Sequence, residues 1–314
     1  MGKKKSGRRG WPEAPAPLPA PVVDNHAHLP LLGPDGAPLD DDDVALPPGE
    51  APLTTAEQLA RAAAVGVTRL ITVGCDVPSL AGSVALAHAH RAVAAALAIH
   101  PNEAPLHAGV REIAPDGLDP AVRAHHRISL DDAVAHVAEL ARDPRVVAVG
   151  ESGLDFFRTG EQGRAHQVRA FRDHIALAKD LSKPLQVHDR DAHAAVVETL
   201  LADGAPERTV FHCFSGDVEL ARTCAEHGWY ASFAGPVTFK ANEDLRAALR
   251  ELPPELVLVE TDAPYLTPAP YRGQPNASYV MPLTVAAIAE QLGLDLERAC
   301  AVLTANTDAV YGTW

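Results

Sequence analysis

The chain has 314 residues, of which 47% are hydrophobic, a formal net charge of −14 at pH 7 and four cysteines. This length and apolar content allow one large core of the size usual for a single α/β barrel, and the acidic balance argues against a broad basic surface that coats nucleic acid, although a local cleft can still hold a phosphate. The cysteines are widely spaced without a C-x-x-C pair, which gives no sign of a disulfide framework or a zinc-thiolate site and favours a reducing, cytoplasmic setting.

The first part of the chain is predicted to lie outside the folded domain. Residues 1–20 begin with a basic run and become Pro/Ala-rich, without the apolar stretch that a secretory signal or a membrane span requires. We predict a disordered arm over residues 1–20, solvated rather than bound to nucleic acid, and a single catalytic domain over residues 21–314. A second Pro-rich stretch, 33–52, is predicted to be a surface loop. Its aspartate run from Asp40 to Asp43 does not alternate as a calcium loop would.

From residue 21 onward the chain alternates between short apolar runs and helical patterns. The apolar runs predict strands at 21–28, 69–73, 93–99, 146–149, 185–187, 209–211, 229–233 and 256–259. Helices are predicted at 59–65, 79–90, 130–141, 162–181, 192–201, 218–227 and 243–252, and again from 281. Thr54 and Glu57 stand at capping-box spacing before the first of these helices. Eight β/α units in a chain of this length predict a TIM (β/α)8 barrel rather than a doubly wound sheet.

Polar side chains that can bind a metal follow five of the eight predicted strands, at the ends where a barrel carries its active site. They are His26 and His28 after the first strand, Glu151 after the fourth, His188 after the fifth, His212 after the sixth and Asp262 after the eighth. Asp24, His26 and His28 alternate along one strand, so they are expected to share a face. Any one of these residues could be a hydrogen-bonded core residue, but coincidence at five strand ends is hard to sustain.

Four imidazoles and two carboxylates are more ligands than one four-coordinate zinc ion takes, and they suit two adjacent cations. We expect His26, His28 and Asp262 on one ion, His188 and His212 on the other, and Glu151 as the bridge. Nitrogen and oxygen ligands without sulfur are compatible with zinc, manganese, iron or, less comfortably, magnesium. Two such ions can lower the pKa of a shared water, and Asp262 can accept its proton as a general base.

Five blocks of the sequence stand in an order that points to one family. They are DNHAHL (24–29), GESGLDFFR (150–158), QVHDRDA (186–192), FHCFSG (211–216) and ETDAPYL (260–266). Together they resemble the signature blocks of the TatD family of metal-dependent deoxyribonucleases, over residues 22–311. The resemblance implies an amidohydrolase-like barrel, a divalent-metal centre with the six residues above as ligands, and hydrolysis of phosphodiester bonds in DNA, commonly as a 3′-to-5′ exonuclease on single strands.

The chain also departs from the family pattern. The family often has His-Pro-His after its third strand, where this chain has His100, Pro101 and Asn102. The resemblance therefore carries over His100 alone, as a phosphate or substrate contact. The arm, the aspartate-rich loop and the segment 109–127 are additions to the family pattern that can alter substrate access or partners.

Four basic residues follow the predicted strand ends closely, namely Arg158, Arg190, Lys240 and Arg272. Arginine forks suit phosphate oxygens and would position a nucleic-acid backbone without reading its bases. The alternative is a salt bridge to the abundant acidic residues. We expect Arg158 and Arg272 to reach the site and leave both interpretations open for Arg190 and Lys240. Tyr265 and Tyr271 can stack on an exposed base or pack locally.

The sequence therefore predicts a metal-dependent DNase that acts on single-stranded DNA, as a monomer in the cytoplasm and without membrane attachment. One alternative is hydrolysis of a small amide, lactone or ester at the same site, since related chemistry runs on the same fold. The other is a metal-binding barrel without activity that serves as a scaffold. A scaffold has no need of Asp262 or of a vacant coordination position, which disfavours that alternative.

Overall fold

The computed structural model describes residues 10–31, 46–47 and 50–314. The first nine residues of the predicted arm, and most of the predicted loop 33–52 with its aspartate run, lie outside the described residues. Within the part of the chain that is described, no helix combines the length and the apolar character needed to cross a membrane.

Eight parallel strands form one sheet in which each strand pairs with the next along the chain. They are β1 (Val22–Ala27), β2 (Val67–Gly74), β3 (Val93–Leu97), β4 (Val146–Asp155), β5 (Leu185–Arg190), β6 (Thr209–Phe211), β7 (Tyr230–Phe233) and β8 (Val257–Val259). Backbone hydrogen bonds from Asp262 N to His26 O (3.0 Å) and from His28 N to Ala263 O (2.7 Å) join the chain after β8 to β1. The sheet is thereby closed into a nearly complete barrel, and the predicted TIM barrel is confirmed.

Helices connect the strands and cover the outside of the barrel. They are α1 (Thr55–Ala64), α2 (Val77–Ala89), α3 (Ala104–His107), α4 (Leu130–Leu140), α5 (Glu161–Asp180), α6 (His193–Asp203), α7 (Val218–His227), α8 (Glu243–Glu251), α9 (Pro282–Leu292) and α10 (Leu296–Tyr311). The predicted capping box of Thr54 and Glu57 is present at the start of α1. The insertion 109–127 follows α3 and ends in a 3₁₀ helix, Ala124–Arg127.

Two apolar clusters fill the barrel on either side of its strands. The larger cluster packs the outward strand residues against the helices. The smaller one combines alternate strand residues, such as Ile71, Ala96 and Leu258, with Val310 and Tyr311 at the end of α10. Because side chains alternate along a strand, this second set faces the barrel axis. The interior is a packed core, so chemistry is left to the open end where the strands finish.

Strand β4 is longer than predicted and carries its polar residues within the strand rather than after it. The prediction ended at residue 149, but pairing with β5 continues through Gly153 opposite His188 and Asp155 opposite Arg190. A Cβ on Gly153 would lie 2.0 Å from the carbonyl oxygen of His188, so the close approach of the two strands requires glycine here. Glu151 therefore projects from a rigid element.

The prediction of a disordered arm over residues 1–20 differs from the structure from residue 10 onward. The side chain of Leu18 is buried in the larger cluster, and its backbone N–H donates to Val65 O at 3.0 Å. The hydroxyl of Tyr279 donates to Pro12 O at 2.7 Å. Burial of apolar side chains outweighs the Pro/Ala-rich composition, and this segment lines the outside of the barrel.

The buried imidazole of His174 on α5 is expected to make the folded state less stable at acid pH. Its Nε2 accepts from Ile99 N (3.1 Å), its Nδ1 donates to Ala170 O (2.6 Å), and burial lowers its pKa to about 4. The unfolded chain takes up this proton near pH 6.5, so folded stability is complete above that pH and falls as the pH drops toward 4. When the pH is lowered from 7.5 to 5, we expect this residue to reduce the free energy of unfolding by about 2 kcal/mol. Urea unfolding of wild type and His174→Gln at both pH values measures it, and an equal pH dependence in the two proteins would contradict it.

Candidate metal centre

The predicted ligands converge at the open end of the barrel around the carboxylate of Glu151. Its Oε2 atom lies 3.4 Å from His26 Nε2 and 4.0 Å from His28 Nε2. Its Oε1 atom lies 2.5 Å from His188 Nδ1 and 2.7 Å from His212 Nε2. One oxygen therefore faces the histidines of β1 and the other faces those of β5 and β6. This division is compatible with two cations that share Glu151, and the bridging role stays a prediction.

Asp262 lies on the β1 side of this arrangement. Its Oδ1 atom is 3.8 Å from His26 Nε2 and 3.6 Å from His28 Nε2. The residue has φ +52°, in the left-handed region that aspartate enters more readily than most residues. The backbone hydrogen bond from Asp262 N to His26 O holds this conformation against β1. The predicted trio of His26, His28 and Asp262 is thus brought together.

The environment of His26 fits a metal ion. The residue is fully buried, and neither of its ring nitrogens has a hydrogen-bond partner among the residues that the structure describes. A buried polar group without a partner costs about 1–3 kcal/mol, and a coordinated cation would remove that cost for one nitrogen. At the barrel mouth, three sets of described residues each have one potential ligand atom per residue within 4.8 Å of the others. They are His26, His28 and Glu151; His26, His212 and Asp262; and His100, Glu151 and His188. Clusters of this composition suit a divalent cation.

Protons and metal ions compete for this cluster. Burial acts to raise the pKa of the Glu151 carboxyl, but His212 and His100 outweigh it and hold the pKa well below its usual range. Burial acts to lower the pKa of His188, but hydrogen bonds to Asp155 and Glu151 outweigh it and raise the pKa to about 9. The environment of the carboxylate therefore favours the protonated form of His188 and His212, whereas burial lowers the pKa of His26. A cation that binds here would replace the protons on the His188 and His212 imidazoles as the positive charge beside Glu151, so metal binding would release protons.

His100 joins this cluster with a hydrogen-bond donor. Its Nε2 lies 3.3 Å from Glu151 Oε1, and its ring centroid lies 4.7 Å from that of His188. Its Nδ1 accepts from Asn102 N at 3.0 Å, so the neutral ring carries its proton on Nε2. An N–H group suits an anionic oxygen better than a metal. This geometry is compatible with the predicted phosphate or substrate contact, which stays a prediction.

Two buried carboxylates that the sequence analysis did not single out orient the histidines. Asp155 Oδ2 lies 3.2 Å from His188 Nε2, on the far side of the ring from Glu151. Glu260 Oε1 lies 3.3 Å from His212 Nδ1. A carboxylate behind an imidazole sets the orientation and the tautomer of the ring. The signal for Asp155 was available, because residues four apart on a strand share a face.

Asp24 has a structural contact rather than a place among the predicted ligands. Its Oδ1 accepts from Thr261 N at 2.9 Å, and its Oδ2 accepts from the Thr261 hydroxyl at 2.6 Å. Complete burial raises the pKa of Asp24 to about 7, against the opposing effect of the Thr261 hydrogen bonds. The residue ties β1 to the segment that carries Asp262. Both oxygens of Asp24 are therefore used in hydrogen bonds to Thr261, and we do not count Asp24 among the candidate metal ligands.

Of the four predicted basic residues, Arg190 is the last residue of β5, whereas Arg158, Lys240 and Arg272 lie in loops beyond the strands. The guanidinium Nε of Arg158 is 3.2 Å from Asp116 Oδ2 in the insertion. Arg190 stacks over the ring of Phe157 at 4.0 Å and Arg272 over the ring of Phe239 at 4.7 Å. Lys240 is exposed. The pairing of Arg158 supports the salt-bridge alternative for that residue, and the roles of all four in substrate binding stay predictions.

An exposed aromatic ring and a cleft flank the histidines. Tyr265 is 48% exposed, and its ring centroid lies 5.8 Å from that of His28. A cleft of about 360 Å³ begins at Cys213, next to His212, and is also lined by Phe214 and Asn242. The cleft offers room for a substrate beside the histidines, and the exposed ring of Tyr265 offers a surface for contact with it.

A barrel with imidazoles and carboxylates gathered where its strands end defines the class of metal-dependent hydrolases. A family model described as TatD related DNase matches residues 23–312. An uncharacterized metal-dependent hydrolase TatD from Mycobacterium tuberculosis is 40% identical, over 93% of this chain and 98% of that protein. The 3′-5′ ssDNA/RNA exonuclease TatD of Cronobacter turicensis is 32% identical, over 81% of this chain and 88% of that protein. The chain belongs to the TatD family of metal-dependent hydrolases, as the resemblance predicted.

Solved structures show the same fold. The TatD homolog YJJV from Escherichia coli has a TM-score of 0.71 at 23% identity, covering 92% of this chain and 97% of its own. An uncharacterized amidohydrolase from Saccharomyces cerevisiae has a TM-score of 0.71 at 15% identity, covering 93% of this chain and 100% of its own. The predicted amidohydrolase-like TIM barrel is confirmed.

Proposed function

We propose that this chain hydrolyses phosphodiester bonds of single-stranded DNA from the 3′ end, with two divalent cations as cofactors. The observation that carries the proposal is the division of the two Glu151 oxygens between two sets of imidazoles. The imidazoles and Glu151 would hold the cations, which would supply Lewis-acid activation of water and stabilisation of charge during a displacement at phosphorus. The exonuclease of Cronobacter turicensis supports a nucleic-acid substrate.

The chain supplies the proton transfer through Asp262. Burial acts to raise the pKa of this carboxyl, but the hydrogen bond with His28 and the charge of His26 outweigh it and lower the pKa. Asp262 is therefore a carboxylate at neutral pH and can accept a proton from the attacking water. The water oxygen bonds to phosphorus as its proton moves to Asp262, one P–O ester bond breaks, and the leaving oxygen takes up the proton that Asp262 accepted. We propose that His100 donates to a phosphate oxygen and that Tyr265 stacks on a base.

Zinc, iron or manganese are the proposed ions, and an imidazole-rich site favours zinc or iron over magnesium. We also propose that the protein works as a monomer in the cytoplasm. The cysteines Cys75, Cys213, Cys224 and Cys300 are free thiols, which suits a reducing compartment.

The test is cleavage of single-stranded DNA labelled at either end, with zinc, iron, manganese or magnesium added. A 5′-labelled strand is expected to shorten stepwise, while a 3′-labelled strand releases labelled mononucleotide at once. RNA and duplex DNA of the same sequence measure the preference, and Asp262→Asn serves as the blank for contaminating nuclease. If the strands stay intact with every ion, the nuclease proposal is wrong, and a panel of amides, lactones and esters tests the alternative substrate class.

A further inference from the structure

A second group of metal-ligating side chains lies outside the centre around Glu151. It comprises Glu103, His107, His125 and His126, and one potential ligand atom of each lies within 4.8 Å of the others. Glu103 and His107 belong to the turn and the short helix α3 after β3, whereas His125 and His126 lie in the 3₁₀ helix at the end of the insertion. We call these four residues the insertion cluster. It brings together the two ends of the insertion 109–127.

His107 contains an unpaired nitrogen that points to a ligand. Its Nδ1 donates to Ile128 O at 2.8 Å, so the neutral ring keeps its lone pair on Nε2. His107 is only 6% exposed, and this Nε2 is buried without a hydrogen-bond partner in the described part of the chain. Histidines that bind metals commonly donate their other N–H to a backbone carbonyl in this way. A cation in the insertion cluster would satisfy the remaining lone pair.

Glu103 draws the other two histidines together. Its Oε2 lies 2.9 Å from His125 Nε2 and 2.7 Å from His126 Nε2. The Nδ1 of His126 accepts from Arg123 N at 2.8 Å, so its Nε2 carries the proton and donates to the carboxylate. His126 therefore positions Glu103. His125 can coordinate through Nε2 once its proton lies on Nδ1.

We propose that Glu103, His107 and His125 bind one Zn²⁺, separate from the ions around Glu151, with His126 as a positioning residue. Two imidazoles and a carboxylate, completed by water, form a tetrahedral zinc site with nitrogen and oxygen ligands. The ion would connect His107 to His125 and so close the intervening chain 108–124 into a loop. Closing a loop lowers the entropy of the open chain, so the ion would hold the insertion in its folded position.

The position of the insertion matters because it contacts the elements beside the active site. Asp116 pairs with Arg158, which follows β4, and the Glu112 carboxylate accepts from Gly163 N at 2.9 Å in the first turn of α5. Releasing the insertion would free Arg158 and uncover the start of α5. The proposed zinc ion would thus hold the insertion in place beside the active site, and it takes no part in hydrolysis.

Zinc content of His107→Gln and His136→Gln tests the proposal. His136 lies on α4 with its side chain 40% exposed, so the same substitution there is a matched control outside the insertion cluster. Wild type and His136→Gln are each expected to hold one zinc ion per chain more than His107→Gln. The same difference is expected when all three proteins also carry Glu151→Gln. Zinc affinity should fall by at least about 100-fold in His107→Gln, and by roughly 10- to 100-fold in His126→Gln, where only the positioning of the ligand is lost. Equal zinc content in His107→Gln and His136→Gln would overturn the proposal.

Trypsin cleavage within the insertion keeps the test independent of how well a variant folds. Arg111 and Arg123 lie in this segment. In Glu151→Gln stripped with a chelator, added Zn²⁺ is expected to slow cleavage at these residues by roughly 10-fold, because the ion makes local opening less frequent. Cleavage at the same rate with and without Zn²⁺ would also refute the proposal. Neither measurement depends on nuclease activity.

Discussion

Glu151→Gln is expected to remove the two proposed metal ions per chain from the barrel mouth and to abolish hydrolysis. The carboxylate places one oxygen 2.7 Å from His212 and the other 3.4 Å from His26, so it can serve both ions at once. An amide has no negative charge to balance two cations, and it presents an NH₂ group to one side. Because each ion loses a ligand and a charge, we expect activity to fall by a factor on the order of 10⁴ or more.

Metal analysis and single-turnover hydrolysis measure the effect of Glu151→Gln. Glu226→Gln, an exposed change on α7, makes the same chemical replacement away from the site and should keep wild-type metal content. If Glu151→Gln retains both ions, the bridging role is wrong. If it loses the ions and still cleaves DNA, the metal-dependent mechanism is wrong.

Asp262→Asn is expected to lower the rate of hydrolysis by about 10²- to 10⁴-fold, the usual contribution of a general base. Asparagine has nearly the same shape, and it tolerates the left-handed backbone that Asp262 adopts at φ +52°. Alanine at this position would add backbone strain to the loss of the carboxylate. The asparagine variant thus removes the proton acceptor with little change to the fold, and the ion nearest His188 and His212 should remain.

Asp191→Asn is the matched control for this variant. Asp191 has φ +54° and is exposed after β5, so the same substitution is made in the same backbone conformation. Rates measured across a range of pH separate the two functions of Asp262. Loss of the acidic limb of the pH profile with metal retained supports the general base, whereas unchanged rates in Asp262→Asn would exclude it.

Much of the metal centre was predictable because it depends on local rules. Side chains alternate along a strand, and the carboxyl ends of parallel strands meet at one end of a barrel. Apolar runs that end at His26, His188 and His212 therefore predict that these side chains lie close together. The assignment of Glu151 as the bridge followed from the number and type of ligands; imidazoles lie near both of its oxygens, and the bridging role stays a prediction.

The insertion was different, because its composition carries no periodic signal. The sequence showed 109–127 as an addition to the family pattern, but its acidic residues gave no indication of their partners. Asp116 meets Arg158, and His125 meets Glu103, only because the loop folds back on α3 and the chain after β4. Pairings between loops depend on long-range packing, which residue spacing does not report.

The sequence by itself determined the barrel and the side chains that reach its open end, since strand period and strand order are properties of the chain. Only the tertiary structure decided which atom each side chain presents. Asp155 and Glu260 orient the rings of His188 and His212, and Asn102 sets the proton of His100. The burial of residues 10–20 was also decided at this level. Ring orientation, proton position and burial depend on neighbours in space, and most of those neighbours lie far away along the chain.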